Sequence, residues 1–181
     1  RVFFGSSDGR MYAYDATEDT ERRPSELWSF ATKGKVWSTP ALANKVVYFG
    51  SLDKNIYALR SEDGALLWQF ETDGAVAAAP VVVDGKVLIG SFDSTFYAID
   101  ADTGQEIWRF DKGKNWYWGQ PIVLDRKIFV PSLDSNLYTL NIETGELLWK
   151  IETEGPIISA PVVVMDMLAI ASRDNETKTW Q

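Results

Sequence analysis

The chain has 181 residues, of which 45% are hydrophobic and 24% charged, and its net charge is −8 at pH 7. This composition is that of a globular protein, and the acidic balance argues against a nucleic-acid partner because phosphate groups are bound by basic surfaces. The sequence has no Cys and no His, which excludes disulfides, zinc–thiolate sites, thiol nucleophiles and histidine bases within it. No apolar run reaches the roughly 18 to 20 residues that span a bilayer, so we expect no membrane-spanning segment.

One stretch recurs along the chain. It reads AIDADTGQEIW where it ends at Trp108, ALRSEDGALLW at Trp68 and TLNIETGELLW at Trp149. The copy that ends at Trp28 is stretched by a charged insertion, residues 17–25, which is predicted to be a surface loop. The Trp residues are about 40 residues apart, and a fixed period of this length is typical of a repeat architecture.

Each repeat contains four segments with strand signals. In the clearest copy, residues 75–83 form the first, and an Asp-Gly pair at residues 84–85 predicts a hairpin with residues 86–92. Two more turns lead to residues 95–100 and 105–111. The second segment contains the apolar run Val87-Leu88-Ile89, which indicates a strand covered on both faces. Since no segment has helical periodicity, other sheets must supply the cover. The sequence therefore predicts an all-β fold, a β-propeller with four-stranded antiparallel blades.

The repeats also predict how the chain is divided. We expect one propeller segment over residues 1–181, with a partial blade (1–34), three whole blades (35–73, 74–113 and 114–154) and a second partial blade (155–181). After Asp174 the pattern slips, and Trp180 is predicted to stand in a slot that holds Tyr in the other repeats. Because a partial blade lies at each end, we interpret the chain as an arc of a larger propeller whose remaining blades are its partners. A complete small ring is the alternative.

The recurring motifs resemble those of a known family. The pattern Ala-x-Asp-x-x-x-Gly-x-x-x-Trp at Ala98, Asp100, Gly104 and Trp108 is similar to the tryptophan-docking motif of the PQQ-like β-propeller repeat family. The Gly-Ser-x-Asp turns and the Pro of the first strand also resemble its repeats. The resemblance implies that the Trp of each outermost strand packs against the next blade, a structural role that it assigns to Trp28, Trp68, Trp108 and Trp149.

Two repeats depart from this pattern. Arg60 and Asn141 stand where Asp100 stands in the clearest copy. Since the Asp belongs to the turn on which the Trp docks, we expect the seams at these two positions to be weaker. In a further copy the charged insertion separates Asp15 from Trp28, and we expect a weaker seam there too.

The family includes quinoprotein dehydrogenases, which are similar to one another in a vicinal Cys pair over pyrroloquinoline quinone (PQQ), a Ca²⁺ site with Glu and Asn ligands, and an Asp base. The Cys pair is missing here. An Asp recurs in the same turn of every repeat, where it caps the turn through its own backbone, and such recurrence is typical of structure. We therefore expect no catalytic residue, metal ligand or cofactor in this chain. The turn residues are Asp8, Asp53, Asp93, Asp134 and Asp174.

One segment differs from its counterparts. Residues 112–121 (KGKNWYWGQP) have one residue more than the matching segment before Pro80, and three aromatics. Only Trp37 matches it elsewhere, since Trp37 and Trp118 both lie three residues before a Pro. The Pro-bearing strand should be innermost, which predicts these two Trp residues at one mouth of the central channel. Rigid aromatics with a polar tip are typical of binding hot spots. The candidate ligand- or partner-binding residues are Trp37, Trp116, Tyr117, Trp118 and Gln120; a local packing variant is the alternative.

These features predict a non-catalytic binding or scaffold propeller that contacts a protein partner through one face. It resembles the outer-membrane-assembly (BamB-like) branch of the family, and the resemblance implies a location outside the cytoplasm, in the periplasm or at the cell surface. Two alternatives stay open. In the first alternative, the chain is a segment of a PQQ-dependent alcohol or sugar dehydrogenase that uses Ca²⁺ and has its catalytic blades elsewhere. In the second, it is a ligand-sensing domain of a membrane receptor or kinase.

Overall fold

The computed structural model describes residues 1–17, 23–165, 167–173 and 177–180, and for the last four only the backbone. Every regular element among these residues is a β-strand. None of them belongs to a helix long and apolar enough to cross a membrane. The predictions for Asp174 and for residues 18–22 of the surface loop lie outside this part of the chain. The predicted slot of Trp180 is wrong: Ile170 pairs with Lys178 in the same way as Val130 pairs with Tyr138, so Lys178 stands at the Tyr position.

The strands form antiparallel sheets, numbered 1 to 5 along the chain, in which each strand pairs with the next one in sequence. Sheet 1 contains β1 (Val2–Gly5), β2 (Arg10–Asp15) and β3 (Ser25–Ala31); sheet 2 contains β4 (Ala41–Ala43), β5 (Val46–Gly50), β6 (Asn55–Arg60) and β7 (Leu66–Glu71); sheet 3 contains β8 (Val81–Val83), β9 (Lys86–Gly90), β10 (Phe96–Asp100) and β11 (Glu106–Phe110); sheet 4 contains β12 (Ile122–Leu124), β13 (Lys127–Pro131), β14 (Asn136–Asn141) and β15 (Leu147–Glu152); sheet 5 contains β16 (Val162–Val164), β17 (Met167–Ala171) and β18 (Thr177–Trp180). The sheets are the blades of an open arc, which confirms the predicted all-β propeller architecture. How the loops divide between blades stays a prediction.

Two-residue turns join the first two strands of sheets 2, 3 and 4. Asp84 and Gly85 of sheet 3 have φ angles of 47° and 70°, the left-handed values that a type I′ turn requires at both positions. The predicted hairpin is therefore present, but its first strand is shorter than predicted, since β8 has only Val81–Val83 and residues 75–80 belong to the loop before it. Sheet 2 places Asn44 (φ 49°) and Lys45 (φ 64°) in the same turn, and Lys lacks the conformational freedom of Gly at such an angle.

Lys45→Gly is expected to raise the free energy of unfolding by about 1 kcal/mol. A left-handed conformation costs a residue with a Cβ about 1–2 kcal/mol, and the Gly's larger loss of chain entropy on folding offsets part of this gain. The Lys45 side chain is exposed, so little packing is lost. Urea unfolding measures the change. The matched control is Lys127→Gly at an exposed site in β13, which should lower stability; a lower stability for Lys45→Gly would contradict the prediction.

The hydrophobic core lies in layers between successive sheets. Between sheets 2 and 3, Tyr48 and Trp68 pack against Val87 and Ile89, and comparable layers separate the other neighbouring sheets. Leu88 lies between Val87 and Ile89 in β9, but it packs in the layer toward sheet 4. Successive side chains of a strand point to opposite faces of the sheet. Burial on both faces explains why β9 is apolar without interruption.

Trp68 shows how neighbouring blades are joined. Its Nε1 donates a hydrogen bond to the carbonyl oxygen of Ala101 at 2.9 Å. Its indole lies against Gly104, where a Cβ would stand 2.7 Å from the ring. Gly104 also has a φ of 73°, so both space and backbone conformation favour glycine there. Trp28 and Trp108 make the same two kinds of contact, and each of the three Trp residues is 8% exposed.

Trp149 lies in a different environment. It is 41% exposed, and its ring packs edge-on against Phe129 with centroids 5.8 Å apart. In the other seams the Gly follows the Trp by 36 or 37 residues, so the matching position for Trp149 would lie beyond Gln181. The docking role of Trp149 therefore stays a prediction.

The turns that depart from the family pattern keep their shape through other hydrogen bonds. Asp100 Oδ1 accepts two backbone N–H groups of its turn at 3.1 and 2.8 Å, and Asn141 Oδ1 accepts two at 2.8 and 3.2 Å. At Arg60 the capping group is Asp63, whose carboxylate accepts the N–H of Ala65 and the Arg60 guanidinium. The turns are therefore intact, but the docking hydrogen bonds of Trp28 and Trp108 at these two turns are 3.2 Å long, against 2.9 Å for Trp68 at the Asp100 turn. The weaker seams stay a prediction.

Candidate functional site

The candidate residues lie on the face of the arc that we call the turn face. It carries the Gly-Ser-x-Asp turns and the exit loops, each of which runs from the outermost strand of one sheet to the innermost strand of the next. Every exit loop is fixed between two turns by its backbone. Val36 N donates to Ser6 O of the preceding turn at 3.0 Å, and Lys35 O accepts from Leu52 N of the following turn at 2.9 Å. This pairing recurs along the arc and makes the face a rigid surface.

The turn aspartates hold this face together. Asp134 Oδ2 accepts hydrogen bonds from the Tyr138 hydroxyl at 2.6 Å and from the N–H of Lys114 at 2.9 Å, while Oδ1 accepts from the N–H of Asn136 at 3.1 Å. Asp53 and Asp93 have the same three kinds of donor. Because these bonds occupy both carboxylate oxygens, the arrangement explains the recurrence of Asp as a structural requirement.

Acidification is expected to lower the stability of the protein through these groups. Burial works to raise the pKa of Asp134, but hydrogen bonds from Tyr138, Lys114 and Asn136 outweigh it, so the pKa lies below its ordinary value. A depressed carboxyl pKa stabilises the fold above the unfolded-state pKa of about 3.9, and this stability is lost as pH falls through the folded-state pKa. Urea unfolding should show a falling free energy of unfolding below about pH 5. The slope should be smaller in Asp134→Asn, and an equal slope would contradict the prediction.

Four aromatic rings form a continuous row on the turn face. Trp37 and Trp118 have ring centroids 6.2 Å apart. Phe92 stacks on Trp118 at 5.3 Å with an interplanar angle of 22°, and on Trp116 at 4.4 Å with an angle of 9°. The outer members are the most open, since Trp37 is 48% exposed and Trp116 is 45% exposed. We call these four residues the aromatic row.

The repeat explains how two distant Trp residues meet. In each exit loop one backbone N–H donates to the carbonyl oxygen of a turn Ser. The residue that follows this donor occupies the same position in three successive loops, where it is Trp37, Ala77 and Trp118. Ala77 stands between the two Trp residues in this order and is 7% exposed. A small residue in the middle leaves the space in which the two indoles make contact.

The extra residue changes the third exit loop. In the other loops a Thr hydroxyl, as in Thr72, bonds to two carbonyl oxygens, at 2.9 and 2.7 Å. Lys112 takes the place of this Thr. Tyr117 then fills the position of the smaller Val76, and its hydroxyl occupies the space beside Gly113, where a Cβ would be 2.2 Å from it. The longer loop thus makes room for a large buried side chain.

Tyr117 therefore lies in the core and is absent from the turn face. It is 0% exposed and packs edge-on against Phe96 and Tyr138. Burial raises the pKa of its hydroxyl far above the ordinary value. The alternation of side chains is the reason, because Trp116 and Trp118 point outward and the residue between them must point inward. Gln120 is exposed and donates through Nε2 to Pro80 O at 3.4 Å.

Sequence reasoning missed three residues of this site. They are Phe92, Ser7 and Lys35. Phe92 supplies the centre of the aromatic row. Ser7 Oγ accepts a hydrogen bond from Trp37 Nε1 at 3.2 Å, and Lys35 Nζ lies 5.8 Å from the centroid of the Trp37 ring. Phe92 had a detectable signal: it is the aromatic residue in the variable position of a Gly-Ser-x-Asp turn, where the other repeats have Ser, Leu or Arg.

A polar depression of about 220 Å³ adjoins the Trp37 end of the row. It is lined by residues of the first turn and the first exit loop, among them Ser7, Asp8, Lys33 and Lys35. Asp8 is occupied within its own turn, since it accepts the N–H of Arg10 and the Tyr12 hydroxyl. The two lysines supply the uncommitted charge.

The residues that the structure describes do not match the donor set of the PQQ and Ca²⁺ site of the quinoprotein enzymes. Within the described ranges no three acidic, His or Cys residues are grouped as ligands for a metal ion. The chain has no Cys for the vicinal pair, and the oxygens of Asp53, Asp93 and Asp134 already accept hydrogen bonds within the turn face.

Comparison with solved structures supports the fold. The crystal structure of BamB from Moraxella catarrhalis matches with a TM-score of 0.84 and 20% identity, over 98% of this chain and 54% of that chain. The computationally designed Ika8 protein matches with a TM-score of 0.85 and 20% identity, over 99% and 54%. The designed Ika4 protein matches with 0.74 and 19%, over 83% and 92%. The chain thus spans about half the length of the first two.

A family comparison reaches the same result from the sequence. No curated protein matches the chain. The profile of a PQQ-like repeat family, described as "Outer membrane protein assembly factor BamB", matches residues 7–116 and 93–180. Together these matches cover nearly the whole chain and include all four motif Trp residues, and the chain therefore belongs to this PQQ-like, BamB-type β-propeller family.

Proposed function

We propose that the chain is a non-catalytic, protein-binding part of a propeller and that its partner contacts the turn face through the aromatic row. The observation that carries this proposal is the contiguous row of four rings whose outer members, Trp37 and Trp116, are close to half exposed. Large rigid aromatics with a polar tip are enriched in binding hot spots. The seams between blades are closed by other residues, so the row is additional to what the fold needs.

The row combines solvent access with rigidity. Trp118 and Phe92 are partly buried between the outer rings, and the backbone of this exit loop is held by hydrogen bonds from Leu133 N to Trp116 O and from Tyr117 N to Ser91 O. A partner that covers the row gains apolar burial at about 25 cal/mol per Å². It orders few additional side chains, because the rings are already packed against one another.

Photocrosslinking in cells tests the proposal. A photoreactive phenylalanine analogue is placed at position 37, 116 or 148 of the full-length protein. Leu148 is 46% exposed but lies in β15, away from the row, and is the matched control. Positions 37 and 116 should both crosslink to the same polypeptide, and Trp118→Ala should reduce both adducts. Adducts from position 148 alone, or different adducts from 37 and 116, would contradict the proposal.

The PQQ-dependent dehydrogenase is the competing function, and a direct assay separates the two. The full-length protein is incubated with PQQ and Ca²⁺ and assayed for dye-linked oxidation of alcohols and sugars. The non-catalytic proposal expects turnover at the rate of the protein-free control. PQQ-dependent turnover above that rate would replace it with the enzymatic function.

The proposal includes further blades around this arc. Val2 and Phe4 of β1 are 48% and 42% exposed, whereas Val47 and Phe49, in the same positions of β5, are 0% exposed because sheet 1 covers them. A preceding blade would cover β1 in the same way. Amide hydrogen exchange in β1 should then be slower in the full-length protein than in residues 1–181 alone, and equal exchange would argue against a covering blade.

The proposal also places the protein outside the cytoplasm. Its support is the family description, which names an outer-membrane assembly factor. Cell fractionation and protease accessibility of the full-length protein test this location. Recovery with cytoplasmic markers would contradict it.

A further inference from the structure

Exposed lysines flank the aromatic row at both ends. Lys33 and Lys35 lie in the exit loop before Trp37, and Lys112 and Lys114 lie in the exit loop before Trp116. All four are exposed, and none forms an ion pair with a carboxylate in the part of the chain that the structure describes. The row therefore has unpaired positive charge at each end.

Most of the acidic groups on this face are already committed. The carboxylates of the turn aspartates accept hydrogen bonds within the face, as shown for Asp53, Asp93 and Asp134. Two further carboxylates are exposed: Asp73 in the second exit loop and Asp111 in the third exit loop, which also carries Trp116. Within the described residues, the four exposed lysines offer ammonium donors that no ion pair has taken up, on a face whose turn aspartates use their oxygens as acceptors of internal hydrogen bonds.

The depression beside Trp37 brings one of the two lysine pairs, Lys33 and Lys35, to the wall of a concave site. Lys33, Lys35 and Ser7 line it together, and the Trp37 indole fixes Ser7 Oγ from one side. A carboxylate placed here would meet two ammonium groups at a position where the neighbouring Asp8 carboxylate is held by its own turn. Charge-assisted hydrogen bonds of this kind are roughly twice as strong as neutral ones.

We propose that the aromatic row binds a short extended peptide segment of a partner protein, with apolar side chains on the rings and acidic residues flanking them. This inference rests on the proposed protein-binding function and specifies its partner. One flanking carboxylate lies in the depression with Lys33 and Lys35, and the other faces Lys112 and Lys114. The centroid steps of 6.2, 5.3 and 4.4 Å limit the row to the length of about five extended residues at most, because an extended chain rises about 3.3 Å per residue.

A single-stranded nucleic acid is the competing polyanion, since bases also stack on aromatic rings. The charge of the molecule disfavours it. Nucleic-acid affinity comes largely from neutralising a series of phosphates with Lys and Arg, and this chain has 18 basic residues against 26 acidic ones. Two isolated pairs of lysines suit two carboxylates better than a continuous phosphate backbone.

Fluorescence anisotropy with the full-length protein tests the proposal. The probes are two labelled peptides of about eight residues with the same Phe- and Leu-containing centre, one flanked by Glu and one by Lys, and an oligothymidine of comparable length. The variants are Lys35→Glu, Lys114→Glu and Trp116→Ala. Lys45→Glu is the matched charge control, because Lys45 is exposed in the β4–β5 turn, away from the turn face.

The acidic peptide should bind at least about tenfold more tightly than the basic one at low salt, and this preference should shrink as salt screens the charges. Lys35→Glu and Lys114→Glu should weaken the acidic peptide and strengthen the basic one, Trp116→Ala should weaken both, and Lys45→Glu should change neither. Absence of binding by the acidic peptide, or oligothymidine binding as tightly, would overturn the inference. If Trp116→Ala abolished peptide binding but the lysine variants had no effect, the proposed acidic character of the segment would be overturned too. The proposed protein-binding function would then still stand, because the crosslinking experiment tests it separately.

Discussion

Trp68→Ala is expected to lower the free energy of unfolding by about 3–5 kcal/mol, the usual cost of truncating a buried large aromatic. The substitution removes an indole that is 8% exposed, leaves a cavity between sheets 2 and 3, and deprives Ala101 O of its 2.9 Å hydrogen bond. The cavity forms between two blades whose backbone ladders hold them in shape, so the neighbouring side chains can fill little of it.

The matched control is Trp149→Ala, in the same repeat position. Because Trp149 is 41% exposed, its truncation in residues 1–181 should cost about 1 kcal/mol or less, as is common for substitutions at partly exposed sites. Chemical denaturation followed by far-ultraviolet circular dichroism measures both variants without relying on Trp fluorescence. Equal losses for the two variants would show that the seam contact contributes no more than the exposed ring.

Gly104→Ala is expected to destabilise the protein by about 2–5 kcal/mol. The added Cβ would stand 2.7 Å from the Trp68 ring, and overpacking of this kind costs about 1–3 kcal/mol. The φ of 73° adds about 1–2 kcal/mol for a residue with a Cβ. The two costs arise at one position because the turn must curve sharply and also receive the indole of the previous blade.

Gly85→Ala separates these two contributions. Gly85 has a similar φ of 70°, but nothing lies within 4 Å of the position that its Cβ would take. It should therefore show the backbone cost of about 1–2 kcal/mol alone. A double-mutant cycle gives a second check: Gly104→Ala should cost less in a Trp68→Ala background, because the ring that it meets is gone. Additive losses would exclude the contact with Trp68 as the cause.

Much of the fold could be predicted because its information is local. The Asp-Gly pair at residues 84–85 specifies a hairpin turn by its allowed φ angles, and the uninterrupted apolar strand that follows requires cover on both faces. Repetition of these signals with a period of about 40 residues left few architectures, and the structure has the sheets of the predicted one. The docking pattern likewise pointed to Trp28, Trp68 and Trp108, which the structure places between blades.

The candidate site could be predicted only in part, because its members are joined through space. Trp37 and Trp118 were found as departures from the repeat, but their contact depends on the small Ala77 in the intervening blade. Phe92 was missed because it belongs to a different loop from its partners Trp116 and Trp118, and a variable turn position shows no requirement for an aromatic in sequence. Tyr117 was grouped with its two neighbours, although alternation along the chain turns its side chain into the core.

The sequence by itself determined the period, the strands, the turns and the family, since each depends on residues that are close together along the chain. Tertiary structure alone decided which aromatics share the turn face, because blades from separate repeats must first be stacked before their exit loops come into contact. It also decided which Trp residues are buried: the indoles of Trp28, Trp68 and Trp108 close seams because a glycine turn of the next blade lies against each of them.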